Sequence, residues 1–417
     1  MKIVYFTHSL RSCWNHGNAH FLRGVLRELI ALGHEVTAYE PAKSWSMENL
    51  LKDHGEEGLE PYRQAYPELD STTFPKRPPL SRMLDGADLV IVHEWNDHDL
   101  VAAIGERRKR AGRFTLLFHD THHRAVSDPK AMKAYDLSGY DGVLAFGEAL
   151  AQVYRIWGWG NRVFTWHEAA DTRHFRPPAP EQEQERQGIV WIGNWGEGER
   201  TRELKEFLFR PARAAGLGLD IYGVRYHETA KATVRRYGGR YHGWVANAQA
   251  PAIFARHLVT IHVPRRFYTR MLPGIPTIRP FEALACGIPL LSAPWQDSEH
   301  LFRVGEDFLM VEDQAEMTQA LRRIANEPDL RHSLAAKGLE TIRARHTCAH
   351  RADELLTIVE RLTFPLPAGE GGARPPQPKA KTGGRVRASS TLDHPHPSAA
   401  FGGSLPLPVG EGSKVMS

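Results

Sequence analysis

The feature that most limits this chain is a repeated alternation of short apolar runs and amphipathic stretches, which restarts near residue 188. KIVYF (2–6) reads as a buried strand. AHFLRGVLRELIALG (19–33) sets Leu22, Val25, Leu26, Leu29 and Ile30 on one helical face and closes at Gly33. HEVTAYEP is the next strand. Strand, glycine-bearing loop, helix and strand make a βαβ opening, which implies a parallel sheet. ADLVIVHEW (87–95), RFTLLFHDTHH (113–123) and YDGVLAFGEAL (140–150) continue the series. GIVWIGNW (188–195), LGLDIYG, GRYHGWV, LVTIHVP (258–264), IPLLSAP and DFLMVE form a second one, with helices expected between them, SEHLFRVG included.

The expected fold class is α/β: two Rossmann-like domains facing each other across a cleft. The first covers 1–175 and the second 186–347; the charged, proline-flanked APEQEQERQ marks the boundary, near 170–188. A helix over 348–362 is expected to pack back toward the first domain. Residues 363–417 are rich in Pro, Gly and Ser and predict a disordered tail, because they bury too little apolar area to offset the entropy of ordering. A chain of 417 residues also favours two cores over one. Residues 41–85, with PYRQAYPELDSTTFPKRPPL, read as an irregular lid or a plain loop.

Net charge is +4 without a Lys/Arg block. That suits an anionic small ligand or a peripheral anionic membrane surface and does not call for nucleic acid. Cys13, Cys286 and Cys348 lie far apart, which argues against a disulfide framework or zinc knuckle and for a reducing, cytoplasmic compartment. MKIVYFTHSL does not read as a signal peptide, and no run of 18 apolar residues is present. The sequence leaves the oligomeric state open.

One carboxylate stands out. GIPTIRPFEALACGIPLLSAP (274–294) holds a single acid, Glu282. Thr277 and Pro280 suit a helix start, Gly287 a C′ position, and Pro289 lies just beyond. The open N–H groups of such a helix, after the bent LPGIPT, make an anion site at Gly274, Ile275, Pro276, Thr277 and Arg279. One turn in, a carboxylate can accept from two neighbouring hydroxyls, such as a ribose 2′,3′ pair. The plainer reading is a Glu that only favours the helix dipole.

An anionic ligand wants cations, and Arg265 and Arg266, at the end of LVTIHVP, are candidates, as are Arg200, Arg202 and Lys205 by the position that the resemblance given below implies. Arg265 ranks first because open α/β sheets bind ligands at strand C-termini. His93 and Glu94 end one strand and His119 ends its neighbour. Gly17 in the first strand–helix loop lets the backbone approach a ligand, with Asn18 beside it. HDTHH, with Glu94 and His167, also permits a metal reading, although no HExxH is present.

FEALACGIP resembles the Glu-containing helix of family 4 retaining glycosyltransferases, and ADTRHFRP resembles their domain-linking segment. IVWIGNWGEGERTREL, GWVANAQAPAIFARHLVTIHVPRR, LPGIPTIRPFEALACGIPLLSAPW and TIRARHTCAHRADELL are together similar to the CgeB-like (spore-protein-type) glycosyltransferase subgroup, over most of 185–360. FHDTHHRA and GHEVTAYEP extend the resemblance less distinctively to the N-terminal half. The resemblance implies a GT-B fold and a hexosyltransferase-type reaction. A sugar would pass from a nucleoside diphosphate sugar to a glycan, lipid or protein acceptor, with retention and with no metal or other cofactor. It implies catalytic roles for His119, Arg265 and Glu282. It implies donor binding by Gly17, Asn18, His93, Gly193, Asn194, Arg200, Lys205, Trp244, Gly274, Ile275, Pro276, Thr277 and Arg279. Two departures stand out: Gly274 replaces the first Glu of the E-x7-E motif, and Asn194 replaces an Arg. A nucleotide-sugar epimerase on the same fold, a sugar-nucleotide or glycan binder without turnover and, last, a metal hydrolase are the competing readings.

Overall fold

The computed structural model describes residues 1–363 except 112, 183 and 197. Beyond Thr363, the expected tail lies outside the described residues. The first sheet has seven strands: β1 (Lys2–Phe6), β2 (Glu35–Pro41), β3 (Ser71–Phe74), β4 (Leu89–His93), β5 (Thr115–Asp120), β6 (Gly142–Ala145) and β7 (Val163–Thr165), in the order β3-β2-β1-β4-β5-β6-β7. The second has six: β8 (Ile189–Ile192), β9 (Leu219–Tyr222), β10 (Gly239–Gly243), β11 (Val259–His262), β12 (Leu290–Ser292) and β13 (Leu309–Met310), in the order β10-β9-β8-β11-β12-β13. Every pairing is parallel. Parallel strands are covered on both faces, which is why Val90, Ile91 and Val92 are all fully buried and read as one apolar run.

Strand order reverses at β1 and at β8. Ligands of open α/β sheets bind at such switch points, beyond the strand C-termini. The loops after β1, β8 and β11 therefore mark where a site belongs.

Two local expectations are corrected. Residues 41–85 are not irregular: they hold helices Trp45–His54 and Glu60–Ala65 and the edge strand β3. β3 is short and its Thr72 and Thr73 are exposed, so it lacks the apolar alternation that marks a strand. SEHLFRVG forms turns, not a helix. The Asp297 carboxylate accepts from the backbone N–H groups of Leu301 (3.0 Å) and Phe302 (2.9 Å), which holds the chain in a turn.

The last helix, Cys348–Thr363, lies against helix Ala19–Ala31 of the first lobe. Thr347 bridges Ala170, Trp166 Nε1 donates to the Arg351 carbonyl (2.9 Å), and Arg351 Nε donates to the His167 carbonyl (3.0 Å). Gly24 permits this approach. A Cβ there would stand 2.5 Å from Cys348 Sγ and 2.6 Å from Asp171 Cβ. Gly24→Ala is therefore expected to lower stability by roughly 1–3 kcal/mol through overpacking, despite alanine's better helix propensity. Urea unfolding measures it, and an unchanged midpoint would contradict the packing.

Candidate functional site

A cavity of about 1340 Å³ opens between the C-terminal edges of the two sheets. That exceeds the roughly 300–1,000 Å³ of an ordinary small-molecule pocket. Gly17, Asn18, Gly193, Asn194, Arg200, Trp244, Arg265, Thr277, Arg279 and Glu282 all line it.

Its cationic part comes from two strand ends. Arg200 follows β8 and Arg265 follows β11, and their guanidinium groups converge on Asn194 Oδ1 at 2.9 and 3.0 Å. Arg200 Nη2 also donates to the Asn194 carbonyl (2.9 Å), and Arg265 pairs with Glu199. Arg200 is pushed down to about 9, first by burial and then by the Arg265 charge. Guanidinium groups scarcely ever release a proton, so burial beside Arg265 makes this a cation that an added anion would stabilise. Its Nε is buried without a hydrogen-bond partner. Asn194, where an Arg was expected, positions both cations and reaches the other lobe through Asn15 Oδ1 (2.8 Å).

Other expected cations point elsewhere. Arg266 pairs with Glu203 (2.8 Å), Arg202 is exposed, and Lys205 lies off the cavity wall. Helical turning after Thr201 carries 202 and 205 away from the strand end.

Helix Ile278–Ala285 presents its N-terminus to the cavity at Thr277. Thr277 adopts φ 61° and ψ −175°, makes no side-chain cap, and no acid occupies the first turn. Such a backbone costs about 1–3 kcal/mol outside glycine and leaves the helix N–H groups open to an anion. Gly274, Ile275 and Pro276 do not reach the cavity, contrary to the sequence expectation. Gly274, at φ +93°, turns the chain so that Ile275 packs on Gly147 of the other lobe.

Glu282, one turn inside the helix, is fully buried on the cavity wall. Asn247 Nδ2 donates to its Oε1 (2.8 Å), and His20 Nδ1 lies 3.0 Å from the same oxygen. Arg279 pairs with Oε2 without hydrogen-bond alignment. Burial alone would raise this carboxyl, but Arg279, His20 and Asn247 outweigh it and hold it below the usual range. Only Oε2 retains room for a further donor, so two hydroxyls on Glu282 would require one present partner to leave. This corrects the expectation of an open carboxylate.

His119 and His93 are not brought to the cavity. His119 lies within β5, shares a 2.6 Å hydrogen bond with Tyr5 OH, packs 4.8 Å from the Trp166 ring, and is lowered to about 3 by burial. His93 Nε2 sits 3.1 Å from Thr121 Oγ1. Both project from within strands into the lobe. The residues after β5, Thr121, His122 and His123, reach the cavity instead, joined by His8 and His16. Among the described residues no group of three or more His, Cys, Asp or Glu is arranged to hold a metal ion. No described helix is long and apolar enough to cross a membrane.

Sequence reasoning missed His20, Asn247, Glu199 and Glu168. His20 is recognisable only once the lobes face each other, and Asn247 and Glu199 only once distant segments of the second lobe meet. Glu168 carried the signal that singled out Glu282, a lone acid in apolar sequence (WHEAA), and it lines the cavity.

Because the folded Glu282 carboxyl is depressed, its stabilising contribution holds above its unfolded value of roughly 4.3 and fades as pH falls through the folded one. Glu282→Gln should lose about 3 kcal/mol at pH 7, leaving Arg279 and His20 without their anion. The difference from wild type should shrink below about pH 4, where the wild-type carboxyl is also neutral. Denaturant midpoints at the two pH values check this; a difference that grows in acid contradicts it.

Residues 200–357 match the model of a family described as glycosyl transferase-like. Anabaena HepE, solved in complex with UDP and glucose, superposes with a TM-score of 0.61 at 12% identity, covering 86% of this chain and 99% of that one. A glycosyltransferase from Rickettsia africae gives 0.61 at 11% identity, covering 88% and 99%. Sucrose-phosphate synthase from Thermosynechococcus elongatus gives 0.58 at 13% identity, covering 87% and 99%. No curated protein matches the chain. The chain has the two-lobed GT-B fold, and residues 200–357 are similar to the glycosyl transferase-like family.

Proposed function

We propose that the protein is a glycosyltransferase that draws on a nucleoside diphosphate sugar held by the second lobe. One observation carries this: two guanidinium groups from neighbouring strand ends converge beside an uncapped helix N-terminus inside the cleft. Guanidinium forks and helix N–H groups are the donors that a diphosphate's oxygens need. HepE, of the same fold, is solved with UDP and with UDP-glucose, which supports a nucleotide-sugar donor here.

In this reading the diphosphate displaces Glu199 from Arg265 and supplies the anion that Arg200 lacks. Glu282 Oε2 takes a ribose hydroxyl, and Trp244, whose buried Nε1 has no partner, meets the base. The acceptor enters from the first lobe, along His8, Trp45 and Trp95. The anomeric C–O bond to phosphate breaks as the bond to the acceptor oxygen forms. The acceptor proton passes to the leaving diphosphate, so retention needs no protein base. Arg200, Arg265 and the helix end stabilise the departing charge. This accords with His119 lying off the cavity wall. We also place the protein with the CgeB-like, hexosyl-transferring, metal-independent enzymes of the cytoplasm, on the motifs that suggested them.

A panel of UDP- and GDP-sugars should raise the melting temperature for one donor, with slow release of its sugar in water. Binding without release would favour a non-catalytic binder, and loss of activity to a chelator would favour a metal enzyme. Arg265→Ala should weaken nucleotide binding at least tenfold, since a charged hydrogen bond contributes about 1.5–3 kcal/mol. Calorimetric titration measures it; unchanged affinity would place the diphosphate elsewhere.

A further inference from the structure

We propose that Glu168 receives the hydroxyls of the transferred sugar and so helps to select the donor. This rests on the donor reading above. Glu168 is 2% exposed, lines the cavity, and neither carboxyl oxygen has a hydrogen-bond partner.

Its neighbours in the same segment are all engaged. Trp166 donates to Arg351, His167 Nε2 lies 2.8 Å from Glu299 Oε2, and Asp171 pairs with Arg27 at 3.2 Å. The segment is thus pinned on both sides of Glu168. A buried polar group left without a partner is destabilising, and a ligand that pairs with it relieves that cost. Of the other cavity carboxylates near the second lobe, Glu199 is held by Arg265, and Glu282 by Arg279, His20 and Asn247.

The chemistry of the missing partner follows from the surroundings. Burial first, and the Glu282 charge second, push the Glu168 carboxyl well above its usual range. An anion has no reason to settle beside two acids. A neutral carboxylic acid offers one donor and acceptor oxygens, which matches a hydroxyl that both donates and accepts. The phosphate-holding cations sit on other elements, after β8 and β11.

Position separates donor sugar from acceptor. Glu168 follows β7, at one edge of the first sheet, while Lys43 and Trp45 follow β2 near the other. Five strand spacings divide β2 from β7 in the sheet order, about 24 Å at the usual spacing. Glu168 lies instead near two residues of the second lobe: Glu282, whose charge adds to burial in raising the Glu168 carboxyl, and Tyr268, whose hydroxyl is raised first by burial and then by Glu168.

The test compares Glu168→Leu and Glu168→Gln against wild type, with UDP and UDP-glucose as one pair of probes and GDP and GDP-mannose as another. Glu168→Leu should keep the affinity for the bare nucleotide and lose at least tenfold in kcat/KM for the sugar nucleotide. It should melt no lower than wild type, because it removes an unpartnered buried carboxyl. Glu168→Gln, which keeps a donor and an acceptor, should stay within about threefold of wild type in kcat/KM. Equal kcat/KM in Glu168→Leu and wild type overturns the proposal. So does a matching loss of bare-nucleotide affinity, which would assign Glu168 to the fold or the diphosphate. Glu168→Gln as inactive as Glu168→Leu also overturns it, because a charged base would then be required. A failed donor reading looks different: wild type itself would bind neither nucleotides nor sugar nucleotides.

Discussion

The structure turns on a carboxylate that is nowhere exposed. Taking Glu282 out of water carries a penalty of several kcal/mol, and only well-placed partners offset it. Those partners come from three elements: His20 from the first-lobe helix, Asn247 from the loop after β10, and Arg279 from Glu282's own helix. A single buried charge therefore fixes the facing of the two lobes and the seat of the helix whose N-terminus opens into the cleft. Another link across the gap, Asn194 to Asn15, lies where both arginines are oriented. Lobe facing and cation placement are in this sense one arrangement.

The cleft divides by chemistry. Toward the second lobe it offers two guanidinium groups and a helix end. Toward the first it offers imidazoles and indoles: His8 is lowered to about 4 by burial, His16 and His122 are lowered as well, and Trp45 and Trp95 are the exposed rings. Neutral imidazoles hydrogen-bond without adding charge, and indole faces lie flat on apolar or sugar surfaces. The paired guanidinium groups and the helix end suit a charged ligand portion, and the rings of the first lobe suit a hydroxyl-rich one, although Lys43 and Lys76 also line that side. Glu168 stands between them, on the segment that joins the lobes.

Much of this was legible in the chain. Buried parallel strands are short apolar runs, and the second series, restarting at Gly188, supplies the strands of the second sheet. Glu282 stood out because a lone acid in an apolar helix needs a reason. β3 and the turn at Asp297 were not legible, since an edge strand carries little apolar signal and a side-chain–backbone turn competes locally with helix. His119 misled because a strand-terminal residue can face the lobe as readily as the cleft; one residue of alternation decides. His20 and Asn15 gain their meaning only from the opposite lobe, and Asn247 from a helix 35 residues further on, which no local pattern encodes.

If the donor reading holds, the cationic end of the cleft takes the diphosphate while Glu282 takes the nucleotide's ribose. A crystal structure with bound UDP tests this most directly. Diphosphate oxygens are expected between Arg200, Arg265 and the helix end at Thr277, with Glu199 turned away and a ribose hydroxyl on Glu282 Oε2. Nucleotide bound elsewhere, or a diphosphate that leaves the Glu199–Arg265 pair intact, would contradict it.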